Sequence, residues 1–263
     1  SNIALGLASI GIKQVRLFFR EANTLDGLLS LGWTKRGIYL AIMRLSYSFS
    51  TKVIANSEDT KNDLLRARVV RENKIHVISN PVLPTNVREL QVAPLPKAVS
   101  ALFRNRNIIL TIGRLHPQKN HAFLIRAFSK IAVVNPLFHL VIIGEGEEKV
   151  KLEELIGQYD LSNRVTIMNF QANIYPYLVS AKVFVLTSRY EGFGNVLVEA
   201  LSSGVPVIST ACPGGPKEIL CNGRFGKLVS VDDERELASA IIDALESPVS
   251  ISADCREWSE RFT

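Results

Sequence analysis

The stretch from Lys182 to Thr210 reads KVFVLTSRYEGFGNVLVEALSSGVPVIST, and its pattern indicates the class of fold. An apolar, β-branched run leads into a glycine-containing turn, then into a stretch with apolar residues at helical spacing, and then into a second apolar run. Strand, helix and strand in this order predict a βαβ unit with both strands parallel in one sheet. In doubly wound sheets of such units, ligands bind beyond the carboxyl ends of the strands.

Two glutamates flank the glycine turn of this stretch. Glu191 precedes Gly192 and Gly194, and Glu199 falls about one turn inside the predicted helix, which begins near Asn195. The start of a helix has unpaired N–H groups and a partial positive charge, so it suits an anion such as phosphate. Carboxylates instead accept hydrogen bonds from hydroxyls. The pair therefore points to a ligand with both groups, such as a sugar nucleotide.

The same alternation of apolar runs and amphipathic stretches extends along the chain and predicts an α/β fold. It predicts six strands over 107–245, enough for a complete doubly wound, Rossmann-like domain. Over 1–85 it predicts only three strands, the first at 14–19, so we expect a first domain that is incomplete. A proline-rich stretch, 86–106, predicts a linker, and 246–263 predicts the start of a C-terminal helical segment.

The composition is typical of a globular chain, with 47% hydrophobic and 21% charged residues among 263. No run approaches the ~20 apolar residues that span a bilayer, and the opening residues lack the basic start of a signal peptide. Three cysteines without zinc-site spacing argue against a disulfide framework and for a reducing compartment, so we expect a cytoplasmic protein. A start without Met, inside a predicted helix, indicates a piece of a longer protein.

The formal net charge of +6 is compatible with nucleic acid, an anionic membrane surface or phosphorylated substrates. No nucleic-acid recognition pattern stands out, so we expect no nucleic-acid partner. The segment from Trp33 to Arg44, WTKRGIYLAIMR, combines basic and apolar residues. It fits a peripheral helix on a membrane surface and equally a packed helix with basic ends, and the sequence leaves both open.

Further candidate residues follow other predicted strands. Arg114 and Lys119 come after the first strand of the longer series, where two cations can hold a diphosphate or simply form a solvated face. Gly144 follows the next strand, where glycine permits close approach of a ligand or of neighbouring backbone. The GEG turn that it opens lacks the third glycine of a dinucleotide fingerprint. Instead of binding a ligand, Glu199 could simply interact favourably with the helix dipole, and the sequence leaves both roles open.

Taken together, the motifs resemble those of the retaining glycosyltransferases of family 4. The resemblance is carried, in order and at family-like spacing, by IGRLHPQKN, LVIIGEGEE, RVTIMNF, TSRYEGFGNVLVEALSSGVPVIST and GPKEIL. It extends back through VIANSEDTKNDL and KIHVISNPV, and so covers nearly the whole chain. The family has the GT-B fold of two Rossmann-like domains, so the resemblance implies an α/β protein of GT-B type with its first domain incomplete.

The resemblance also implies roles for the charged candidates. Arg114 and Lys119 would bind the donor diphosphate and stabilise the departing nucleoside diphosphate. Glu191 would meet hydroxyls of the donor sugar, and Glu199 would hold the ribose hydroxyls. On the acceptor side, many relatives have a histidine facing the reacting sugar where this chain has Arg20, followed by Glu21.

The remaining residues would contact the donor through backbone or base. Phe170 and Gln171 would lie beside the base, and Gly144 would belong to the same substrate site. Amides of the turn and the helix start would approach sugar and phosphate, from Gly192, Phe193, Gly194, Asn195 and Val196. We expect neither metal nor cofactor, because no Asp-x-Asp motif occurs and positioning with leaving-group stabilisation suffices.

The implied activity is transfer of a hexose-type sugar from a nucleotide-diphosphate donor, UDP-linked above all, to a glycan or lipid-linked acceptor with retention. The expected setting is cell-envelope or exopolysaccharide synthesis, in the cytoplasm or at the inner face of the plasma membrane. Two alternatives stay open. A sugar-nucleotide 2-epimerase would act on the donor without an acceptor, and a non-catalytic fragment would bind nucleotide without turnover.

Overall fold

The computed structural model describes residues 2–9, 16–30, 32–246 and 253–263. The chain divides into two compact units, each assembled from more than one segment. Unit 1 comprises Ser1–Asn80, Tyr190–Gly194 and Pro213–Glu218, and unit 2 comprises Pro81–Arg189, Asn195–Cys212 and Ile219–Thr263.

Unit 1 contains a three-stranded parallel sheet in the order β1-β2-β3. Its strands are β1 (Phe18–Glu21), β2 (Lys52–Ala55) and β3 (Ile75–Val77). Its helices are α1 (Asn2–Ala8), α2 (Trp33–Ser48) and α3 (Glu58–Arg66), with 3₁₀ turns at Leu25–Ser30 and Glu72–Lys74. Three strands were predicted, and the first begins later than the predicted 14–19, of which residues 14 and 15 lie outside the described residues.

The local sequence explains where α3 begins and ends. The Ser57 hydroxyl accepts a hydrogen bond from the Thr60 N–H, which satisfies one of the unpaired donors of the first turn. Glu58 lies in the first turn and Arg66 in the last, so both charges oppose the helix dipole. The apolar face of α3 packs on the sheet through fully buried Leu64.

Unit 2 contains a six-stranded sheet in the order β6-β5-β4-β7-β8-β9, with every neighbouring pair parallel. The strands are β4 (Asn107–Ile112), β5 (Phe138–Ile143), β6 (Val165–Met168), β7 (Val183–Leu186), β8 (Val207–Thr210) and β9 (Lys227–Val229). The six predicted strands are confirmed. Counted from β4, the first of these strands in the chain, the order is that of a Rossmann fold. Successive strands are added on one side of β4 up to β6 and on the other side from β7 onward, so the strand order reverses between β4 and β7.

The helices after β3 belong to unit 2, except that Pro216–Glu218 of α10 belong to unit 1. They are α4 (Val87–Gln91), α5 (Lys97–Asn105), α6 (His121–Ala132), α7 (Lys149–Gln158), α8 (Tyr175–Ser180), α9 (Asn195–Ser203), α10 (Pro216–Ile219), α11 (Glu234–Glu246) and α12 (Ala253–Glu260). The stretch 86–106, expected as a linker, thus contains α4 and α5. Of the expected C-terminal helical segment, 247–252 lies outside the described residues.

The core of unit 2 lies on both faces of its sheet, as parallel sheets require. Every residue of β5, β7 and β8 is buried. On one face, α6 and α11 pack through a cluster that includes Phe123, Phe128, Leu237 and Ile241. Continuous apolar strands of this kind are stable only with helices on both sides, and this burial holds the loops at the strand ends on a rigid frame.

Two glycines allow the ends of β4 and β5 to meet. A β-carbon on Gly144 would lie 1.9 Å from the carbonyl oxygen of Gly113, which is far inside van der Waals contact. The Gly113 N–H donates to the Ile143 carbonyl oxygen at 3.0 Å, and the Gly144 N–H donates to the Met168 carbonyl oxygen at 2.9 Å. Only glycine fits at position 144 without displacing backbone.

Gly144→Ala is expected to lower the free energy of unfolding by about 1–3 kcal/mol, because the added methyl group meets backbone that cannot rotate away. The matched control is Gly157→Ala near the end of α7, where an added β-carbon meets no atom within 4 Å. Alanine there is expected to leave stability unchanged or to raise it by up to about 1 kcal/mol. Urea denaturation of both variants measures the contrast, and equal effects would contradict the close approach.

Candidate functional site

The loop after β4 places Arg114 at the carboxyl edge of the unit 2 sheet, next to the point where the strand order reverses. The Arg114 side chain is exposed. Within the described part of the chain, its guanidinium has no hydrogen bond or ion pair. A cation without a counterion at the reversal point of a doubly wound sheet is available for an anionic ligand.

Lys119 is held against the same strand end. Its Cδ and Cε atoms lie 3.4 Å from the position that a β-carbon on Gly113 would take. The lysine stem therefore lies over the glycine that follows β4, and a β-carbon at position 113 would be in van der Waals contact with it. Arg114 and Lys119 thus belong to one loop at one strand end, as the sequence predicted.

Hydrogen bonds tie this loop to the loops after β7 and β9. The Arg189 N–H donates to the Gln118 carbonyl at 2.8 Å, and the Thr187 hydroxyl donates to the Lys119 carbonyl at 3.0 Å. Asp232, after β9, accepts from the Asn120 amide at 2.9 Å and from the Arg189 guanidinium at 3.2 Å. The sequence reasoning missed this bracing, because the partners are up to 112 residues apart.

His121, at the start of α6, contacts the backbone of Arg114. Its Nε2 lies 3.3 Å from the Arg114 carbonyl oxygen, and burial lowers the pKa of the imidazole to about 4. The ring is therefore neutral at pH 7, and because a carbonyl only accepts, the proton must be on Nε2. This contact fixes the Arg114 backbone, and no motif in the sequence indicated it.

The strand-end loop after β6 presents Phe170 and Gln171. The Phe170 N–H donates to the Glu145 carboxylate at 3.2 Å, and its ring is 70% exposed. The Gln171 side-chain oxygen accepts from the Tyr177 hydroxyl at 2.9 Å, which orients its amide. An exposed aromatic ring next to an oriented amide can stack on and hydrogen-bond a planar base.

Glu199 is a half-buried carboxyl group on α9, which begins at Asn195 after the left-handed Gly194, φ 96°. Desolvation raises the pKa of Glu199 to about 7. Within the described residues, no donor pairs with the carboxylate, whose backbone carbonyl alone accepts hydrogen bonds, from Ser202 and Ser203. A partly buried carboxylate without protein donors is costly unless a ligand supplies hydroxyl groups.

Tyr175 on α8 lies near Glu199, and α8 packs against α9. Burial and the charge of Glu199 raise the pKa of Tyr175 to about 12. The Tyr175 hydroxyl is buried and has no hydrogen-bond partner among the described residues. Within the described residues, the Glu199 carboxylate therefore lacks a donor and the Tyr175 hydroxyl lacks an acceptor. No pattern in the sequence indicated Tyr175.

The segment Tyr190–Gly194 belongs to unit 1, where Glu191 is 5% exposed. The Glu191 N–H donates to the Pro213 carbonyl at 2.9 Å. A β-carbon on Gly214 would lie 2.0 Å from the Glu191 carbonyl oxygen, and one on Gly215 would lie 2.0 Å from that of Phe193. The two glycine turns of the sequence thus pack backbone against backbone, which fixes the segment that contains Glu191.

A buried polar network at the start of α3 holds the same segment within unit 1. The Ser57 hydroxyl donates to the Gly192 carbonyl at 3.2 Å, and the Asn56 amide donates to the Ala22 carbonyl at 2.9 Å. A β-carbon on Gly192 would lie 1.6 Å from that Ala22 oxygen, so glycine is required. The Thr60 hydroxyl donates to the Asn56 side-chain oxygen at 3.1 Å and completes the network.

Arg20 and Glu21 lie on β1, at the carboxyl end of the unit 1 sheet. The Arg20 guanidinium donates to the Asn80 side-chain oxygen at 2.5 Å. The Glu21 carboxylate accepts from the hydroxyl of buried Tyr47, whose pKa is raised by burial and by the glutamate charge. Glu21 therefore has a structural partner within unit 1, whereas Arg20 is exposed. Their acceptor-side roles stay predictions.

The structure thus brings the candidates together in two groups. In unit 2, Arg114, Lys119 and Gly144 lie at adjacent strand ends, and the candidates on α9 are exposed Asn195 and half-buried Val196 and Glu199. In unit 1, Glu191, Gly192, Phe193 and Gly194 form one buried turn, with Arg20 and Glu21 on β1.

The sequence also led to expectations about cysteines, metal ions and membrane-spanning helices. All three cysteines are free, as expected. Among the described residues, no three His, Cys, Asp or Glu side chains are grouped so as to hold a metal ion. No helix in the described ranges has the length and apolar character needed to cross a bilayer.

The raised pKa of Glu199 predicts a pH dependence of stability. The folded chain keeps the Glu199 proton up to about pH 7, whereas the unfolded chain loses it near 4.5. The contribution of Glu199 is therefore full below pH 4.5 and is lost as the pH rises through 7. Relative to wild type, Glu199→Gln is expected to gain about 1–3 kcal/mol in unfolding free energy between pH 4.5 and 8.

Urea denaturation of both proteins across this pH range measures the difference, in which all other titrating groups cancel. Glu153→Gln, at an exposed position of α7, is a control whose difference from wild type is expected to stay nearly constant. A constant difference for Glu199→Gln as well would show that its carboxyl group is not desolvated.

Two family models and several known proteins are similar to this chain in sequence. The model of the family "Glycosyl transferases group 1" matches residues 95–262, more than half of the chain, and that of "Glycosyltransferase Family 4" matches residues 22–85. An uncharacterized glycosyltransferase of Methanocaldococcus jannaschii is 36% identical over 71% of this chain and 47% of its own length. A 4-alpha-N-acetylgalactosaminyltransferase of Campylobacter jejuni, named for an N-acetylgalactosamine-N,N'-diacetylbacillosaminyl-diphospho-undecaprenol, is 31% identical over 78% of this chain and 53% of its own length.

Solved structures show the same fold. HepE of Anabaena, crystallised with UDP and glucose, superposes with a TM-score of 0.80 at 23% identity, over 99% of this chain and 70% of HepE. Sucrose-phosphate synthase of Thermosynechococcus elongatus gives a TM-score of 0.82 at 23% identity, over 99% of this chain and 67% of that protein. These likenesses confirm the predicted GT-B fold.

The chain spans about half the length of the curated relatives it matches. The family models nevertheless cover β2 and β3 of unit 1 and the six strands of unit 2. The chain therefore belongs to the glycosyl transferases group 1, as its motifs predicted.

Proposed function

We propose that this chain contains the donor-binding part of a retaining glycosyltransferase, which moves a hexose-type sugar from a UDP-linked donor to a glycan or lipid-linked acceptor. The observation that carries this proposal is the half-buried, unpaired Glu199 carboxylate in the same unit as the unpaired Arg114 guanidinium. A donor with hydroxyls and a diphosphate would satisfy both groups.

The phosphate end of such a donor would bind at the end of β4. The free guanidinium of Arg114 presents a planar fork that matches phosphate oxygens, and Lys119 adds a second positive charge from the same loop. Because the loop is braced by Asp232, Arg189 and His121, these cations would be positioned before the ligand arrives. Preorganised charge of this kind stabilises a leaving diphosphate most strongly in the transition state.

The nucleoside end would bind along α9 and the loop after β6. Glu199 would accept hydrogen bonds from the ribose hydroxyls, and this would favour its ionised form. Phe170 and Gln171 would lie beside the base, since they present an exposed ring and an oriented amide. A contact of Glu191 with the donor sugar stays a prediction that rests on the family resemblance. Metal independence stays a prediction.

The biosynthetic setting is proposed from relatives. One named relative acts on a diphospho-undecaprenol-linked sugar, and others are named for amylovoran and lipopolysaccharide core biosynthesis. HepE has been solved with UDP and with UDP-glucose. These names support a nucleotide-sugar donor and an acceptor in polysaccharide or lipid-linked synthesis. They leave the donor sugar, the acceptor and the linkage of this chain open.

Peripheral association with the inner face of the plasma membrane stays a prediction, supported by α2. Trp33 at its start is 96% exposed, and Ile38, Ile42 and Leu45 form an exposed apolar stripe at helical spacing. With Lys35 and Arg36 nearby, this surface suits an anionic bilayer.

Calorimetric titration of the chain with UDP and GDP tests the donor site. Wild type is expected to bind UDP, and Arg114→Gln is expected to bind it about tenfold more weakly or worse, because a charge-assisted contact to phosphate is lost. Glu199→Gln is expected to weaken UDP binding but not binding of 2′,3′-dideoxyuridine diphosphate, which lacks the hydroxyls. Arg235→Gln removes an exposed cation of α11 as a matched control.

Absence of binding to both nucleotides, or equal UDP affinity of wild type and Glu199→Gln, would show that the site is assigned wrongly. If binding is confirmed, incubation with the UDP-sugar alone separates the remaining alternatives. An epimer of the donor sugar would indicate an epimerase, whereas transfer only with an added acceptor would indicate a transferase.

A further inference from the structure

A basic cavity of about 500 Å³ lies in unit 1, apart from the candidate donor residues, none of which lines it. Four cations line it, one from α2 and three from the chain after α3: Arg44, Arg68, Arg71 and Lys74. None of the described residues that line it is acidic, and Glu72, the carboxylate nearest in sequence, is exposed outside the lining. The nucleotide-sugar proposal gives this cavity no role.

The charge of the cavity is uncompensated. The Arg44 guanidinium donates to the Ala67 carbonyl from Nε at 3.0 Å and from Nη2 at 2.8 Å. Lys74 Nζ donates to the Ser48 and Ser50 carbonyls at 3.1 and 2.8 Å. These acceptors are neutral, and no ion pair with a described residue offsets any of the four cations.

Helix capping explains Arg44 and Lys74, whose carbonyl partners end α3 and α2, but it does not explain Arg68 and Arg71. Both of these side chains are exposed, and neither has a hydrogen bond or an ion pair within the described ranges. Two unpaired guanidinium groups beside two capping cations raise the local positive potential without stabilising the fold.

Arg68 also has an unfavourable backbone conformation. It directly follows the C-cap residue Ala67 of α3 and has a φ of 53°, in the left-handed region. Glycine or asparagine normally occupies this position, because a β-carbon there costs about 1 kcal/mol. An arginine that is strained by the backbone and unpaired in the fold indicates a function for its side chain.

We propose that this cavity binds a phosphate group. Phosphate offers negative charge and several acceptor oxygens to the four cations that line the cavity, and the guanidinium forks of Arg68 and Arg71 suit its geometry. The phosphate is carried by a soluble anion or by an anionic lipid headgroup. The site is independent of the donor site, because it lies within unit 1 and shares no residue with Arg114, Lys119 or Glu199.

Titration of the ¹⁵N-labelled chain with inorganic phosphate, followed by NMR, tests the site residue by residue and separates it from the donor site. The amide signals of residues 67–74 are expected to shift saturably. Arg68→Gly with Arg71→Gln is expected to weaken this binding about tenfold or more, through loss of two charge-assisted contacts. Arg68→Gly alone is expected to keep or raise the thermal midpoint, since glycine suits a φ of 53°.

Lys97→Gln removes one exposed cation of unit 2 and is expected to leave the phosphate affinity unchanged. Shifts at 67–74 that saturate with equal affinity in wild type and the double variant would overturn the proposal. A thermal midpoint of the double variant close to that of wild type confirms that loss of binding does not come from unfolding.

Co-sedimentation with vesicles identifies the source of the phosphate. Binding to phosphatidylglycerol vesicles that exceeds binding to phosphatidylcholine, and that is lost in the double variant, would support the site with a lipid headgroup as its ligand. Vesicle binding that is absent or unchanged in the double variant, together with the NMR shifts in wild type, would support it with a soluble phosphate. Failure of both experiments would overturn it.

Discussion

The carbonyl oxygen of Gly113 occupies the space that a side chain on Gly144 would need, and the strand-end loops of unit 2 depend on this close approach. It lets the Leu115 N–H donate to the Glu145 carbonyl at 2.8 Å, and the Glu148 N–H donate to the Leu115 carbonyl at 3.0 Å. Both hydrogen bonds fix the start of the loop after β4, at Leu115. Arg114 and Lys119 then project from a rigid turn, which lowers the entropy cost of holding an anion.

The second constraint is electrostatic. Glu199 is half-buried and has no donor among the residues that the structure describes, and with a pKa of about 7 it is partly protonated at neutral pH. Tyr175 beside it has an orphaned hydroxyl. Such groups normally find partners in a folded protein, and exceptions commonly mark functional sites. A ligand with hydroxyls would restore the missing hydrogen bonds and stabilise the charge. These new hydrogen bonds would contribute to the free energy of ligand binding.

The sequence predicted the parts of this structure that have a periodic or local signature. The six strands of unit 2 were predicted because continuous apolar runs alternate with amphipathic stretches, and the helix at Asn195 because a glycine turn precedes an apolar period. The helices α4 and α5 were not predicted in 86–106, since prolines and short length hide helical periodicity there.

The hydrogen-bond networks could not be predicted from the sequence. Ser57 and Gly192 are 135 residues apart, and Asn120 and Asp232 are 112 apart, so no local pattern relates them. The candidate residues at strand ends were found because parallel strands share one carboxyl edge. Burial of Glu199, and the lack of a partner for the Arg114 guanidinium within the described ranges, depend on tertiary packing, which has no local signature in the sequence.

A crystal structure of this chain with UDP tests the central claim most directly, because it locates both ends of the ligand. Phosphate oxygens are predicted within about 2.7–3.2 Å of the Arg114 guanidinium, and ribose hydroxyls within the same range of the Glu199 carboxylate. A nucleotide bound elsewhere, or one whose ribose leaves Glu199 without a hydrogen bond, would contradict the account.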